Sequence, residues 1–219
     1  MVNDVDRILS FNDDESNYVE LVGDMATNFT YNHEMYGEKF FKTTISVKRQ
    51  SDTIDDIPVI VSERLIEKDT NYKDSRVKII GQLRSFNDKT KNEEKPKLVI
   101  FIFAKDFFIC NENYKNDVTL TSYLCKVPFY RKSPSGREIS DLIIAVNRSY
   151  NKSDYIPCVL WGRNARYSKT FSVSDELKLN GRLQSRVYTK LIDGDAESRV
   201  AYELSVNCIQ LIRHNNFEN

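Results

Sequence analysis

The sequence predicts an all-β protein made of two copies of one small closed barrel. Three observations carry that expectation: an internal repeat of about 100 residues, short β-branched or alternating runs between turn residues, and a composition that can bury a core. Of 219 residues, 40% are hydrophobic and 29% charged, as in soluble globular chains. The longest apolar run, Leu98 to Ala104, is closed by Lys97 and Lys105. It is far too short to span a bilayer and suits a buried strand. The acidic start MVNDVDRILSFNDDES lacks the basic and apolar segments of a secretion signal, so a cytoplasmic location is expected.

The repeat sets the domain organisation. Val19-x-Leu21 recurs as Val118-x-Leu120, Gly37 as Gly136, ISVKR at 45–49 as IAVNR at 144–148, and Ile57-Pro58 as Ile156-Pro157, all at an offset of 99 residues. GQLRS at 81–85 recurs as GRLQS at 181–185, one residue further out of step. A unit of this length is a whole domain, not a solenoid repeat. The expected domains are 17–110 and 115–213, joined by the polar stretch around Glu112–Lys115.

The elements of the second copy follow in order. VTLTSYLC (118–125), DLIIAV (141–146), YIPCVLW (155–161), LKLNGRLQSRVY (177–188) and VAYELSV (200–206) read as strands. SPSG at 133–136 and DGD at 193–195 read as turns, and NARYSKTF (164–171) as one short helix. Five strands with a helix between the third and fourth describe a five-stranded Greek-key barrel, the OB fold, so two tandem OB-fold domains are expected, each with at most one short helix. Pro157 inside a strand ordinarily argues against that strand. Its recurrence at Pro58 instead marks a fixed edge or bulge position.

Strand alternation then sorts the side chains of 155–161. Ile156, Cys158 and Leu160 share one apolar face, which suits the barrel interior. Tyr155, Val159 and Trp161 share the other. In the first copy the interior set becomes Ile57, Val59 and Val61, while the other face becomes Asp56, Ile60 and Ser62. A core tryptophan exchanged for serine would leave a cavity costing about 3–5 kcal/mol, so the comparison favours Trp161 as a stacking platform at the surface. Packing under a loop or at an interdomain contact is the competing reading. Tyr188 lies in a hairpin that either overhangs the barrel or packs on it.

Charge is distributed unevenly. The chain is neutral overall, but residues 1–110 hold 16 Lys+Arg against 20 Asp+Glu, and residues 111–219 hold 16 against 12. Cations gather around the aromatic face: Arg131, Lys132 and Arg137 in the first loop, Arg148 at a strand end, Arg163 and Arg166 after Trp161, then Arg182 and Arg186. Aromatics interleaved with arginines suit single-stranded nucleic acid, where cations follow phosphates and rings stack on bases. Arg182, Gln184 and Arg186 have one parity and are expected to line one face.

Other chemistry finds little support. Cys110, Cys125, Cys158 and Cys208 are widely spaced, with no C-x-x-C, and the histidines are His33 and His214. Reduced thiols are expected, with no metal and no cofactor. No phosphate-cradling glycine loop or nucleophile elbow occurs, and paired carboxylates such as Asp55-Asp56 sit in hydrophilic stretches, so an enzyme is not expected.

The second copy resembles bacterial single-stranded DNA-binding proteins. That family has an aromatic six residues before an aromatic-Gly pair, then a G-[QR]-L-x-[ST]-R-x-aromatic hairpin. Here these are Tyr155, Trp161-Gly162, and Gly181-Arg182-Leu183-Gln184-Ser185-Arg186-Val187-Tyr188. The match covers about 116–212, and the whole chain is similar to tandem-OB members from Gram-positive bacteria and their mobile elements. The resemblance implies base stacking by Tyr155, Trp161 and Tyr188, and non-enzymatic protection of single-stranded DNA in replication, recombination or repair. It also implies a homodimer with four barrels, with replication or recombination proteins as partners. The first copy departs, with Asp56, Ser62 and Asp88 at the matching positions. The chain ends IRHNNFEN rather than in the family's acidic tail with a hydrophobic tip, so recruitment through such a tail is not expected. A protein–protein adaptor and a single-stranded RNA binder are the alternative readings.

Overall fold

The computed structural model describes residues 16–67, 70–88, 97–148, 152–192 and 195–214. The strands in chain order are β1 (Asn17–Met25), β2 (Thr30–Met35), β3 (Glu38–Lys48), β4 (Ile54–Ser62), β5 (Arg76–Asp88), β6 (Lys97–Ile109), β7 (Lys115–Leu124), β8 (Phe129–Lys132), β9 (Glu138–Arg148), β10 (Lys152–Trp161), β11 (Glu176–Ile192) and β12 (Asp195–Arg213). Among the described residues there are also one short helix, α1 (Gly162–Tyr167), and two 3-10 turns.

The two halves close in the same way. In the first, β1 pairs with β3 through Met25↔Ile45 and β4 with β6 in parallel through Val59↔Ile102. In the second, β7 pairs with β9 through Leu124↔Ile144 and β10 with β12 in parallel through Cys158↔Leu204. Both are OB barrels. The expected interior sets are in place: Ile57, Val59, Val61, Ile156 and Leu160 are fully buried and Cys158 nearly so. Burial pushes the Cys158 thiol strongly upward, which makes it an inert core residue.

Among the described residues, each half has one more strand than the five expected. β2 and β8 form short ribbons with β3 and β9. Every residue of β2 is exposed, and β8 is nearly so. Such ribbons leave no alternation of buried and exposed positions, so apolar periodicity cannot signal them. The turn expected at 133–136 joins β8 to β9, with Gly136 N–H donating to the Ser133 carbonyl. Residues 193–194 of the other expected turn lie outside the described residues.

Two backbone features explain the repeated sequence signals. Pro58 and Pro157 each pair with one neighbouring strand, opposite Thr44 and Ile143, one residue before the parallel pairing to β6 or β12 begins. The missing proline N–H therefore falls on an edge that needs no donor. Gly81 and Gly181 sit at matching bulges in β5 and β11. A Cβ there would lie 2.3 Å from the carbonyl oxygen of Phe103 or Ser205, so only glycine permits this approach.

The barrels meet about a local two-fold axis. β1 and β7 pair antiparallel with Val19 directly opposite Val118, its own repeat equivalent. On one side of that axis the buried Asp55 carboxylate accepts from the Ser185 N–H at 2.7 Å and pairs with Arg49. On the other side the buried Asp154 carboxylate accepts from the Ser85 N–H and pairs with Arg148. The same Asp, Ser and Arg are thus used twice, and each barrel caps a strand of the other.

Candidate nucleic-acid interface

Registers define the outer face of the second barrel. Trp161 on β10 stands opposite Ile139 on β9, which stands opposite Arg131 on β8. Two residues along, the row is Val159, Asp141 and Phe129. Near the other end, Tyr155 stands opposite Ala145, which stands opposite Tyr123 on β7. Directly opposed residues point to the same side. This face therefore presents Trp161, Phe129, Tyr155 and Tyr123, which are 43%, 64%, 49% and 39% exposed. At about 3.3 Å per residue, Tyr155 and Trp161 lie roughly 20 Å apart along β10, room for several stacked bases.

Val159 lies on the expected face with Tyr155 and Trp161, yet it is only 4% exposed. It stands between Asp141 on β9 and Ser205 on β12, inside the sheet rather than at an edge, where flanking strands cover a short side chain.

Trp161 ends β10 and occupies the N-cap of α1 with extended backbone angles and no side-chain capping bond. Its indole is therefore not committed to the helix. Arg163 on α1 is exposed. Arg166 is exposed and pairs with Glu138 at 2.9 Å, and Arg131 pairs with Asp141 at 2.9 Å. Such pairs contribute little in water and exchange readily for a phosphate. Lys132 and Arg137 flank the exposed β8–β9 turn.

On β11 the parity expectation holds. Arg182 lies 3.4 Å from Gln184, Gln184 donates to Glu203 at 2.9 Å, and Arg186 lies 3.6 Å from the same Glu203. Arg186 also stands 5.8 Å from the Tyr188 ring centre, and Tyr188 is half-buried opposite Arg199. Arg182 turns toward a cleft between the barrels, shared with Arg49, Tyr114 and Lys115. Arg148 is held at the junction by Asp154 and the Ser85 carbonyl. It is positioned as a structural cation, away from the Trp161 row.

Sequence reasoning missed Phe129, Tyr123 and Lys169, whose ammonium sits 3.6 Å over the Tyr130 ring. The signal for Phe129 was present in FYRK, where Phe129 and Arg131 share a strand face, but the ribbon that displays them had no periodic signature. Among the described residues, no group of three or more His, Cys, Asp or Glu is placed to hold a metal. No helix among them is long and apolar enough to cross a membrane.

Tandem OB barrels with an aromatic and cationic outer face define a class of single-strand-binding folds, and comparison with known proteins agrees. Residues 115–212 match the model of the single-strand binding protein family. The chain is 31% identical over 80 residues to single-stranded DNA-binding protein B of Bacillus subtilis, covering 33% of this chain and 71% of that protein. It is 28% identical over 108 residues to single-stranded DNA-binding protein 2 of Listeria innocua, covering 46% of this chain and 66% of the relative. With single-stranded DNA-binding protein 1 of Staphylococcus aureus it shares 36% identity over 80 residues, 48% of that protein's length. The match thus spans about half to two thirds of the length of these last two relatives. The structure of the wild-type single-stranded DNA binding protein of Thermus aquaticus superposes with a TM-score of 0.73 at 17% identity, covering 93% of this chain and 96% of that one, which shows that both barrels share its fold. The chain belongs to the single-strand binding protein family.

Proposed function

We propose that the second barrel binds single-stranded DNA by base stacking and phosphate contact, without catalysis, and protects it during replication, recombination or repair. The observation that carries this reading is the outer face itself: Trp161, Tyr155 and Phe129 are substantially exposed on one sheet surface, with Arg131 in the same row as Trp161, two strands away across Ile139. Burying these rings against bases gives about 1–3 kcal/mol each. Tyr188, Arg163, Arg166, Arg182, Arg186, Lys132 and Arg137 extend the surface. The working units are 17–110 and 115–213, and two chains associate to give four barrels in the cytoplasm. The reading rests on the geometry together with the named relatives.

The single tryptophan makes the test direct. Titration with oligo-dT quenches its fluorescence, and the affinity falls as salt rises because phosphate contact releases counterions. Unchanged fluorescence and no gel shift at micromolar protein overturn the proposal.

A further inference from the structure

Where the second barrel carries an ion pair, the first carries aromatic rings. Arg186 and Glu203 form a diagonal pair across β11 and β12. The equivalent pair across β5 and β6, counted from the shared glycine bulge and the matching core pairs Leu83↔Ile102 and Leu183↔Leu204, is Phe86 and Phe101. The two rings meet edge to face with centres 5.9 Å apart, and Phe86 is 49% exposed. A barrel that folds with Arg and Glu at these positions has no packing need for phenylalanines there.

The rings open onto a groove of about 500 Å³. Its floor includes Pro58 and Ile60 of β4, the outer-face equivalents of Pro157 and Val159, and its rim holds Lys42 and Lys97. The opposite wall is β12 of the second barrel, from Glu197 to Tyr202, with the Tyr202 hydroxyl donating to the Asp56 carbonyl at 2.9 Å. Asp88 and Glu197 also line it, and Glu197 is paired with Arg199 at 2.7 Å.

The same face has lost its family-type platform. Ser62, at the Trp161 position, is buried, caps the 3-10 turn at Arg64 and donates to Glu38. Its β3 neighbour is Phe40, buried beneath a stacked His33. Aromatic surface has therefore moved from β4 to the β5–β6 hairpin.

We propose that this groove is a second single-strand subsite, in which bases stack on Phe86 and Phe101 while Lys42 and Lys97 meet the phosphates. The occupant follows from continuity: the wall of the groove is one strand of the hairpin whose other strand carries Arg186 and Tyr188, so a strand leaving the second barrel over Tyr188 reaches the groove directly. This inference rests on the single-strand reading of the second barrel.

The test separates the two. An OB barrel covers about 4–16 nucleotides, so the full-length protein is titrated with dT oligomers of about 15 and about 35 nucleotides. Phe86→Ala and Lys97→Glu are each expected to weaken binding of the long oligomer by about ten-fold and shorten the occluded site. Both leave the affinity for the short oligomer and its Trp161 quenching intact. Equal long-oligomer affinity and site size in both variants, with quenching preserved, overturns the subsite and leaves the groove to an apolar peptide. Loss of quenching by the short oligomer in the wild type overturns the underlying reading instead. Lys97 is a surface residue, so its variant remains informative if Phe86→Ala perturbs the hairpin.

Discussion

Trp161 shows how one side chain's role is set by what its neighbours leave undone. It has no side-chain capping bond to α1, it is 43% exposed, and the interior of β10 is formed by the buried Ile156, Cys158 and Leu160. Trp161→Ala is therefore expected to change the unfolding free energy by less than about 1 kcal/mol, as at exposed positions. The same change should weaken single-stranded DNA binding by roughly ten-fold, the loss of one stacked base. Parallel chemical denaturation and binding titrations check both halves, and a variant that fails to fold returns Trp161 to the core. At this scale the sequence was informative because the chain carries its own control: DDIPVIVS keeps an apolar inward set, as DYIPCVLW does, while the outward Asp56 and Ser62 replace Tyr155 and Trp161. It gave the face of Val159 but not its burial, because that depends on the strands paired on either side of it. It was silent on Phe129 because the ribbon that displays it has no buried face.

At the scale of the element, the bulge in β11 places the hairpin. Gly181 lets β12 approach to where a Cβ would be 2.3 Å from the Ser205 carbonyl oxygen, and the register shifts there. Beyond this kink, Arg182, Gln184 and Arg186 project along one face and Tyr188 reaches the end of the barrel. Gly181→Ala should force the two strands apart, costing about 2 kcal/mol or more as a backbone clash with no flexible atom to yield. A fall in melting temperature with weaker DNA binding is expected. Unchanged stability would show that the bulge tolerates a side chain. The repeated GQLRS and GRLQS marked the two copies in sequence, and the bulge explains why a glycine stands in both. The ribbons β2 and β8 had no such mark, and the sequence count of five strands fell one short in each half for that reason.

For the whole molecule, the junction decides whether two barrels act as one body. The pairing of Val19 with Val118 makes the two halves mutual equivalents, and carboxylates hold the contact on both sides. Burial alone would raise the Asp55 carboxyl, but Arg49 and the Ser185 N–H and hydroxyl overcome this and hold it below its usual value. Glu20 behaves alike: burial raises it, and Lys115 and Lys78, from the two sides of the β1–β7 seam, bring it down. A carboxylate with a depressed folded-state value contributes stability in full above its unfolded value near about 4, and loses it as pH falls through the folded value. The junction should accordingly be insensitive to pH between neutrality and about 5 and weaken only below about 4. Asp55→Asn removes the charge while keeping the shape. It leaves Arg49 without its partner, and should cost about 3 kcal/mol at neutral pH. Its stability should fall less steeply below pH 4 than that of the wild type, because one of the titrating groups is gone. Thermal unfolding of both proteins from pH 7 to pH 2 measures this. Parallel curves across the acid range would mean that Asp55 is not what couples acid to the junction. A convergence of the two curves at low pH would show that the buried Asp55 carboxylate, seated on the backbone of the opposite barrel, carries that coupling.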